Sequence, residues 1–343
     1  EDGIRDSSTS RGLGDVYKRQ LLLSSCSENK SHNIDLKGNT MGTYYLISLV
    51  DIPKTITKEK LQLEIKDALS KANKILSNWD ETSEISQLNN NRTTEPISIS
   101  NDLINVLKEA IIINDKSNGY FDLTLDPLIE LWGFGYSKNN TIERVPSKDK
   151  IKDTLTLVNQ NKLLHINSKN QLLKKNEDIK LNLSAIGKGY GIDIIAKTLD
   201  DLNIKNYIID IGGDIFAKGH NKNNTDWVIG IENPKLDEKL IKEIITVSNK
   251  GVATSGDYKN YFSKNGTKYS HIINPKNGMP ITHSTKSVTV VYKNAMSADG
   301  WATALLAMGS KVGLKVAENE KIAVMFVDEV EDKLLKIKSS QFK

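Results

Sequence analysis

The second half of the chain contains short strand-like segments that follow one another through loops. Parallel neighbours in a sheet need a crossover connection of about a dozen residues or more, usually a helix. Several of these segments leave no room for such a helix, which favours an α+β fold with largely antiparallel sheets over a doubly wound parallel sheet. The strands are predicted at residues 207–211, 227–231, 244–248, 287–292 and 322–327.

Helical periodicity dominates the first half of the chain. Apolar residues recur at helical spacing over residues 58–79 and again over residues 102–115, so both segments are predicted to be core-facing helices. Residues 43–50 are β-branched and aromatic, which is typical of a strand. With 343 residues and 38% hydrophobic content, the chain can bury one large core or two intimately packed lobes. Further helices are predicted at residues 185–202, 299–308 and 311–318.

Several functional classes are disfavoured by composition and by missing motifs. The 47 basic and 43 acidic side chains are interspersed, which argues against nucleic acid as a main partner. No stretch reaches about 18 apolar residues, so no transmembrane helix is predicted. The sequence G-K-G-Y-G at residues 187–191 suggests a phosphate loop, but its order differs from a P-loop and it lies within a helical pattern.

The chain has one cysteine, Cys26, so an intrachain disulfide and a cysteine-based zinc cluster are both excluded. Cys26 follows L-L-L-S-S, which resembles the end of a bacterial lipoprotein signal. Residues 1–20 are polar and do not fit such a signal, so we predict that they are a mis-joined or artefactual start. Residues 21–38 then become a signal remnant and tether, with Cys26 as the lipidation site. The alternative is an ordinary cysteine in a polar tail.

Asp299 and Thr303 are spaced i and i+4, so both side chains project from one face of the helix predicted there. A carboxylate, a hydroxyl and a nearby backbone carbonyl are the hard oxygen ligands that Mg²⁺ accepts. The alternative is structural: Asp299 or Ser297 caps the helix, and Thr303 packs inside it.

Two further segments have an unusual composition for loops. In residues 131–136, aromatic side chains lie between glycines, where an isoalloxazine or adenine ring could stack and glycine would allow a close backbone approach. His271 comes shortly before a tight turn at residues 276–280. A lone histidine or tryptophan is more often structural than functional, so these features alone decide nothing.

Eight motifs occur in one order: M-G-T at 41–43, W-D-x-x-S-E-I-S-x-L-N at 79–89, F-D-L-T through L-W-G-F-G at 121–135, N-L-S-A-I-G-K-G-Y-G-I-D at 182–193, I-D-I-G-G-D at 209–214, G-V-A-T-S-G-D at 251–257, H-I-I-N-P at 271–275 and S-A-D-G-W-A-T at 297–303. Together they cover roughly residues 39–310. In content and order they resemble the ApbE family of FAD:protein FMN transferases.

The resemblance implies that residues 39–343 form a T-fold-related single globular unit of two intimately packed α/β lobes, an ApbE-like flavin transferase domain. It also implies a set of site residues. Those expected to bind FAD are Met41, Trp79, Trp132, Gly133, Phe134, Asn182, Lys188 and Ile272. Those expected to hold Mg²⁺ are Ala185 and Ala302, through their carbonyl groups, and Asp299 and Thr303. His271 matches the histidine proposed as the base, and Asp299 is counted with it as catalytic.

The chain departs from the family pattern at several positions. Trp79 stands where a tyrosine is frequent, which preserves a stacking ring but removes a hydroxyl. Asn182 stands where an aspartate is common, so a negative charge is lost there. Ala302 replaces a frequent second carboxylate, and Asn277 replaces a commoner threonine.

The implied reaction is the Mg²⁺-dependent transfer of FMN from FAD to a Thr or Ser hydroxyl of an acceptor flavoprotein, with release of AMP. The acceptor is expected to be a subunit of a respiratory membrane complex or a secreted flavoprotein. A lipid-anchored enzyme in the cell envelope would meet such a partner. Two alternatives stay open, an FAD pyrophosphatase that gives FMN and AMP, and a flavin-binding lipoprotein without turnover.

Overall fold

The structure, a computed structural model, describes residues 32–136, 145–232, 241–258 and 260–343. Its strands are β1 (Ile34–Thr40), β2 (Thr43–Val50), β3 (Ile97–Ser98), β4 (Leu164–Ile166), β5 (Gln171–Lys174), β6 (Asn206–Ile211), β7 (Asp214–Lys218), β8 (Trp227–Glu232), β9 (Ile241–Val247), β10 (Lys250–Gly256), β11 (Tyr261–Lys264), β12 (Thr267–Ser270), β13 (Thr285–Tyr292), β14 (Ala323–Val330) and β15 (Lys333–Lys338). Its helices are α1 (Lys58–Leu76), α2 (Glu84–Asn90), α3 (Asn101–Lys116), α4 (Asp126–Leu131), α5 (Lys148–Leu155), α6 (Gln160–Leu163), α7 (Gly187–Asp201), α8 (Ala295–Met308) and α9 (Ser310–Asn319). No helix in these ranges is long and apolar enough to cross a membrane.

An eight-stranded sheet organises the fold, with the strand order β1-β2-β6-β7-β10-β13-β14-β15. Within the described ranges, every pair of strands in this sheet and in the three smaller ones runs antiparallel. The predicted α+β class with antiparallel pairing is therefore confirmed. The described parts of residues 32–343 form one unit, which confirms the predicted single globular unit.

Both faces of the central sheet are covered, because successive side chains of a strand point to opposite faces. Val290 and Val324 join the cluster under the helices, whereas Val291 and Met325 join the cluster under the β8–β9 hairpin. The helices α7 and α8 lie on the first face, with α8 against β10 and β13. These two helices carry most of the candidate site.

The folded part begins earlier than the sequence predicts. Strand β1 begins at Ile34, whereas residues 21–38 were expected to be signal remnant and tether. Ile34 and Leu36 are buried and pair with Leu49 and Ile47 of β2, so two apolar residues in a polar segment are enough for an edge strand. Residues 1–31, including Cys26, lie outside the described residues, and the lipidation site stays a prediction.

Helix α8 also begins earlier than predicted, at Ala295. Asn294 is its N-cap, with the side-chain oxygen accepting the Ser297 N–H at 2.8 Å. Asp299 consequently lies inside the helix, and Ser297 uses its hydroxyl to donate to Glu109. The alternative in which Asp299 or Ser297 caps this helix is wrong.

Helices α7 and α8 cap each other. Asp299 of α8 accepts the N–H of Gly189, in the first turn of α7, at 3.0 Å. Asp193 of α7 accepts the N–H groups of Ala295 and Met296, in the first turn of α8, each at 3.0 Å. The first N–H groups of a helix have no partner within it, so each helix satisfies part of the other's unpaired end. We call this arrangement the reciprocal cap.

Buried amides fix the segment that leads into α7. Asn89 exchanges two hydrogen bonds of 2.8 Å with the backbone of Leu181. Asn78 donates to the carbonyl of Leu181 at 2.8 Å and accepts the N–H of Leu183 at 3.1 Å. The amide side chains supply the hydrogen-bond partners that a neighbouring strand would otherwise provide, because a buried backbone group without a partner is costly. Asn182 and Ser184 therefore have defined positions.

Candidate functional site

Two cavities open on either side of the start of α7. The first has a volume of about 340 Å³, and its lining includes Asn182, Lys188, His271, Asp299 and Thr303. The second has a volume of about 570 Å³, and its lining includes Met41, Trp79 and Lys188. Both volumes lie in the usual range of ligand sites, about 300–1,000 Å³. Ser184 and Lys188 line both cavities and therefore form their shared wall.

Among the described residues that line the two cavities, Lys188 is the one lysine, and none is an arginine. Its ammonium group is hydrogen-bonded to the carboxylate of Asp214, which is buried and also accepts the N–H of Thr254 at 3.2 Å. Burial by itself lowers the pKa of Lys188, but the carboxylates of Asp214 and Asp299 outweigh it and raise the pKa above its usual value. A fixed positive charge thus lies at the shared wall, where a phosphate group would be neutralised.

Asp299 is 3% exposed and faces the first cavity. Burial raises the pKa of its carboxyl to about 7, and the Lys188 ammonium opposes part of that increase. Thr303, one turn further along α8, also lines the cavity, and its hydroxyl lies 3.2 Å from that of Ser255. The predicted i,i+4 pair therefore faces one cavity, although Asp299 serves the reciprocal cap at the same time.

His271 lines the first cavity from the opposite side. Its Nδ1 lies 2.9 Å from the carbonyl oxygen of Asn260. A carbonyl can only accept a hydrogen bond, so Nδ1 carries the hydrogen and Nε2 keeps its lone pair. Burial lowers the pKa of His271 below its ordinary 6.5, although the bond to Asn260 and the charge of Asp257 oppose the change. The imidazole is therefore neutral at pH 7 and can accept a proton.

Four of the residues predicted to bind FAD, Met41, Trp79, Asn182 and Ile272, line the two cavities. Trp79 is 72% exposed, and its ring makes a tilted contact with the ring of Tyr136, with 6.1 Å between the centroids and 63° between the planes. One face of a large aromatic ring is thus available at the mouth of the second cavity. This is the geometry that ring stacking needs.

Trp132 is placed differently from the prediction. It is 1% exposed, stacks on Tyr269 and donates from Nε1 to the carbonyl of Gly278 at 2.8 Å. Gly133 adopts a positive φ of 81° and ends α4, while Phe134 packs on Phe262. None of these three residues lines either cavity. Trp132 belongs to a buried cluster against which Phe134 packs, and the ring of Phe134 lies 6.3 Å from the ring of His271.

Ala302 also differs from the prediction. It is fully buried in the middle of α8 and does not line either cavity. Inside an α-helix each carbonyl accepts the N–H four residues later, so the Ala302 carbonyl is directed along its own helix. Ala185 lines the first cavity and precedes Ile186, the N-cap of α7, so its carbonyl lies outside the helical ladder.

The remaining donors fit a hard divalent cation. In the described residues, no cluster of three or more His, Cys, Asp and Glu side chains gathers to hold a metal. Of the four predicted donors, three line the first cavity: the carboxylate of Asp299, the hydroxyl of Thr303 and the carbonyl of Ala185. Mg²⁺ is commonly bound by one or two carboxylates together with water and substrate phosphate. The pKa of Asp299 stays raised in spite of Lys188, so its buried charge is compensated only in part, and a bound cation would compensate it further.

Two carboxylates of the site were not predicted as site residues. Asp214 pairs with Lys188, and Asp126 accepts a hydrogen bond from Asn182 at 3.0 Å. Asp214 lies in the I-D-I-G-G-D motif, which could have drawn attention to it. Asp126 lies between two motif fragments, and only the tertiary structure brings it to Asn182.

Comparison with known proteins identifies the family. The model of the ApbE family matches residues 41–326. The chain is 37% identical to an FAD:protein FMN transferase of Vibrio cholerae, covering 94% of this chain and 95% of that protein. It is 37% identical to the enzyme of the same name from Haemophilus influenzae, covering 94% of each.

Solved structures agree. The flavin transferase ApbE of Vibrio cholerae has a TM-score of 0.83 at 36% identity, covering 91% of this chain and 98% of that one. The apo form of the Pseudomonas stutzeri flavinyl transferase ApbE also has a TM-score of 0.83, at 32% identity, covering 91% and 96%. Family model, relatives and structures coincide over nearly the whole folded part, and the chain therefore belongs to the ApbE family.

Proposed function

We propose that the chain transfers FMN from FAD to a Thr or Ser hydroxyl of an acceptor flavoprotein and releases AMP. The observation that carries the proposal is the shared wall, where one fixed cation borders both cavities beside Asp299. FAD is two ring systems joined by a pyrophosphate, so a ligand with one ring in each cavity brings its pyrophosphate to Lys188. Two relatives that are 37% identical to this chain are named FAD:protein FMN transferase, which supports the transfer of FMN from FAD to a protein.

In this mechanism the acceptor oxygen attacks the FMN-side phosphorus. A phosphoester bond forms, the bridging P–O bond breaks, and AMP leaves with the pair of electrons. Nε2 of His271 takes the proton of the hydroxyl, since Nδ1 is held by the Asn260 carbonyl. Lys188, kept charged by Asp214, orients the pyrophosphate and offsets its negative charge.

Asp299, Thr303 and the Ala185 carbonyl would hold Mg²⁺ in the first cavity. The ion would supply charge stabilisation at the pyrophosphate oxygens. Asp299 reaches this position because the reciprocal cap fixes its carboxylate against α7. The same contact fixes the position of Lys188 relative to Asp299, because Lys188 precedes Gly189 in α7 and Asp299 accepts the N–H of Gly189.

The proposal is tested by incubating the purified chain with FAD and Mg²⁺, with and without a candidate acceptor protein. Flavin fluorescence on the acceptor after denaturing electrophoresis supports transfer. Free FMN and AMP without labelled acceptor would favour the pyrophosphatase, and unchanged FAD would favour a binding protein. The EDTA-treated sample is the control for the metal.

We also propose that the chain is lipid-anchored at Cys26 in the cell envelope, close to a membrane or secreted acceptor. In a chain expressed with a functional secretion signal, Cys26→Ala is expected to shift the protein from the membrane fraction to the soluble fraction outside the cytoplasm. Fractionation followed by immunoblotting measures the shift. A Ser25→Ala variant is the matched control, and membrane retention of Cys26→Ala would argue against lipidation.

The two tryptophans should respond in opposite ways. Trp79→Ala is expected to weaken FAD binding with little change in melting temperature, because stacking on an exposed ring contributes about 1–3 kcal/mol per base. Trp132→Ala is expected to lower the free energy of unfolding by about 3–5 kcal/mol, because it empties a core position. Fluorescence titration with FAD and thermal unfolding of both variants separate the roles. Equal affinity of Trp79→Ala and the wild type would remove Trp79 from the site.

The pH profile should report His271. Its pKa lies below 6.5, so the neutral base persists at pH 7, and transfer should fall only as the pH drops through that lower value. The rate is measured with Mg²⁺ saturating at every pH, so that ionisation of Asp299 does not contribute. His271→Gln should lose about 10²–10⁴-fold in rate, the usual contribution of general base catalysis. If that variant kept the acid limb, another group would be the one that titrates.

A further inference from the structure

Asp126 is a fully buried carboxylate whose role is not explained by the fold. It is 0% exposed at the start of α4, and among the described residues it forms no ion pair. Burying a carboxylate without a cation is costly, and a neutral side chain would fill the same space at lower cost. Charged groups retained under such conditions cluster at functional sites.

The two oxygens of Asp126 face two different walls. Oδ1 accepts from the amide nitrogen of Asn182, which lines the first cavity, at 3.0 Å. Oδ2 accepts from the hydroxyl of Tyr136 at 3.4 Å, and the Tyr136 ring makes a tilted contact with the ring of Trp79, which lines the second cavity. One buried carboxylate therefore connects the walls of both cavities.

The amide of Asn182 is fixed in one orientation by this contact. Its oxygen accepts the N–H of Ser184 at 3.0 Å, and its nitrogen donates to Asp126, so a flipped amide would lose both bonds. A carboxylate can only accept, which excludes the flipped state more strongly than a neutral partner does. The cavity wall at Asn182 is thus preorganised before any ligand arrives.

We propose that Asp126 is a positioning residue for FAD, acting through Asn182 and Tyr136 on the walls that contact the two ring systems. This inference rests on the proposed function. The inference requires one carboxylate and one amide at positions 126 and 182, but either position can carry either group. Reversal preserves the pattern, because an amide at 126 can donate to a carboxylate at 182, and the Ser184 N–H can donate to that carboxylate.

The test compares four proteins by FAD titration without metal and by thermal unfolding: wild type, Asp126→Asn, Asn182→Asp and the double exchange. Asp126→Asn should bind FAD about five- to tenfold more weakly, the difference between a charged and a neutral hydrogen bond. Its melting temperature should not fall at pH 7.5, because burial raises the pKa of Asp126 to about 6 and the carboxylate is charged there at a cost. A merely structural role predicts loss of both properties together.

Asn182→Asp places two carboxylates against each other and should bind FAD more than tenfold more weakly at pH 8 than the wild type, with partial recovery at pH 5 when the two share a proton. The double exchange should return to within about threefold of the wild type. Wild-type affinity in Asp126→Asn, or a double exchange as weak as Asn182→Asp, overturns the inference while the proposed function stands. Failure of the wild-type chain to bind FAD overturns both.

Discussion

Replacing Asp299 by asparagine is expected to reduce transfer at limiting Mg²⁺ by at least about a hundredfold while the protein stays folded. The charge that would hold the metal is lost, and metal ions supply several kcal/mol in such displacements, with about 1.4 kcal/mol for each factor of ten. Asparagine keeps an oxygen that can accept the Gly189 N–H, so the reciprocal cap survives. Transfer assays over a range of Mg²⁺ concentrations measure the effect, and excess Mg²⁺ should restore the rate only in part.

The stability of this variant gives an independent check. The pKa of Asp299 is raised from 3.8 to about 7, so the metal-free folded state binds more protons than the unfolded state between these values. Asp299 therefore makes the folded state progressively less stable as the pH rises through this window toward 7. Asp299→Asn should remove the part of the slope that Asp299 contributes without lowering the melting temperature at pH 7.5. An Asn variant that transfers FMN at the wild-type rate in limiting Mg²⁺ would exclude Asp299 as a ligand.

Gly189→Ala is expected to lower the free energy of unfolding by about 1–3 kcal/mol or more, the usual cost of overpacking. A Cβ atom at Gly189 would lie 2.3 Å from the backbone oxygen of Ala295 and 2.6 Å from the Cα of Met296. Backbone atoms cannot rotate away, so α7 and α8 must separate. Transfer should fall as well, because Lys188 and Asp299 lie on opposite sides of this contact.

Gly187→Ala is the matched control for stability. A Cβ there meets only the Leu76 side chain, at 4.0 Å, and alanine favours a helix over glycine by about 0.5–1 kcal/mol. Chemical denaturation of both variants should place them on opposite sides of the wild type. Equal stability of the two would show that the close approach of the helices is not what requires glycine at 189.

The sequence was sufficient to predict the elements whose pattern is local. Strand β2 and the start of α1 lie where periodicity placed them, and antiparallel pairing followed from the short connections. The i,i+4 spacing of Asp299 and Thr303 correctly predicted one shared face. What spacing could not reveal was the partner of Asp299, because its contact with Gly189 joins residues far apart in the chain.

Two tryptophans show more clearly what the sequence could not predict. Trp79 and Trp132 both lie in motif segments, yet one is exposed at a cavity and the other is buried against Tyr269. Burial depends on how distant segments close over a ring, and hydropathy gives both the same value. Asp126 was not predicted for a related reason, because its link to the site is a hydrogen bond from Asn182, which is distant in the sequence.

The shared wall of Ser184 and Lys188 also bears on the order of events after bond cleavage. If the pyrophosphate lies at this wall, the bond that breaks is the one that joins the half of FAD in one cavity to the half in the other. Each product is then left in its own cavity, and neither product has to pass the other to leave. AMP can depart while the flavin stays in place, and the next FAD must occupy both cavities before another turnover begins.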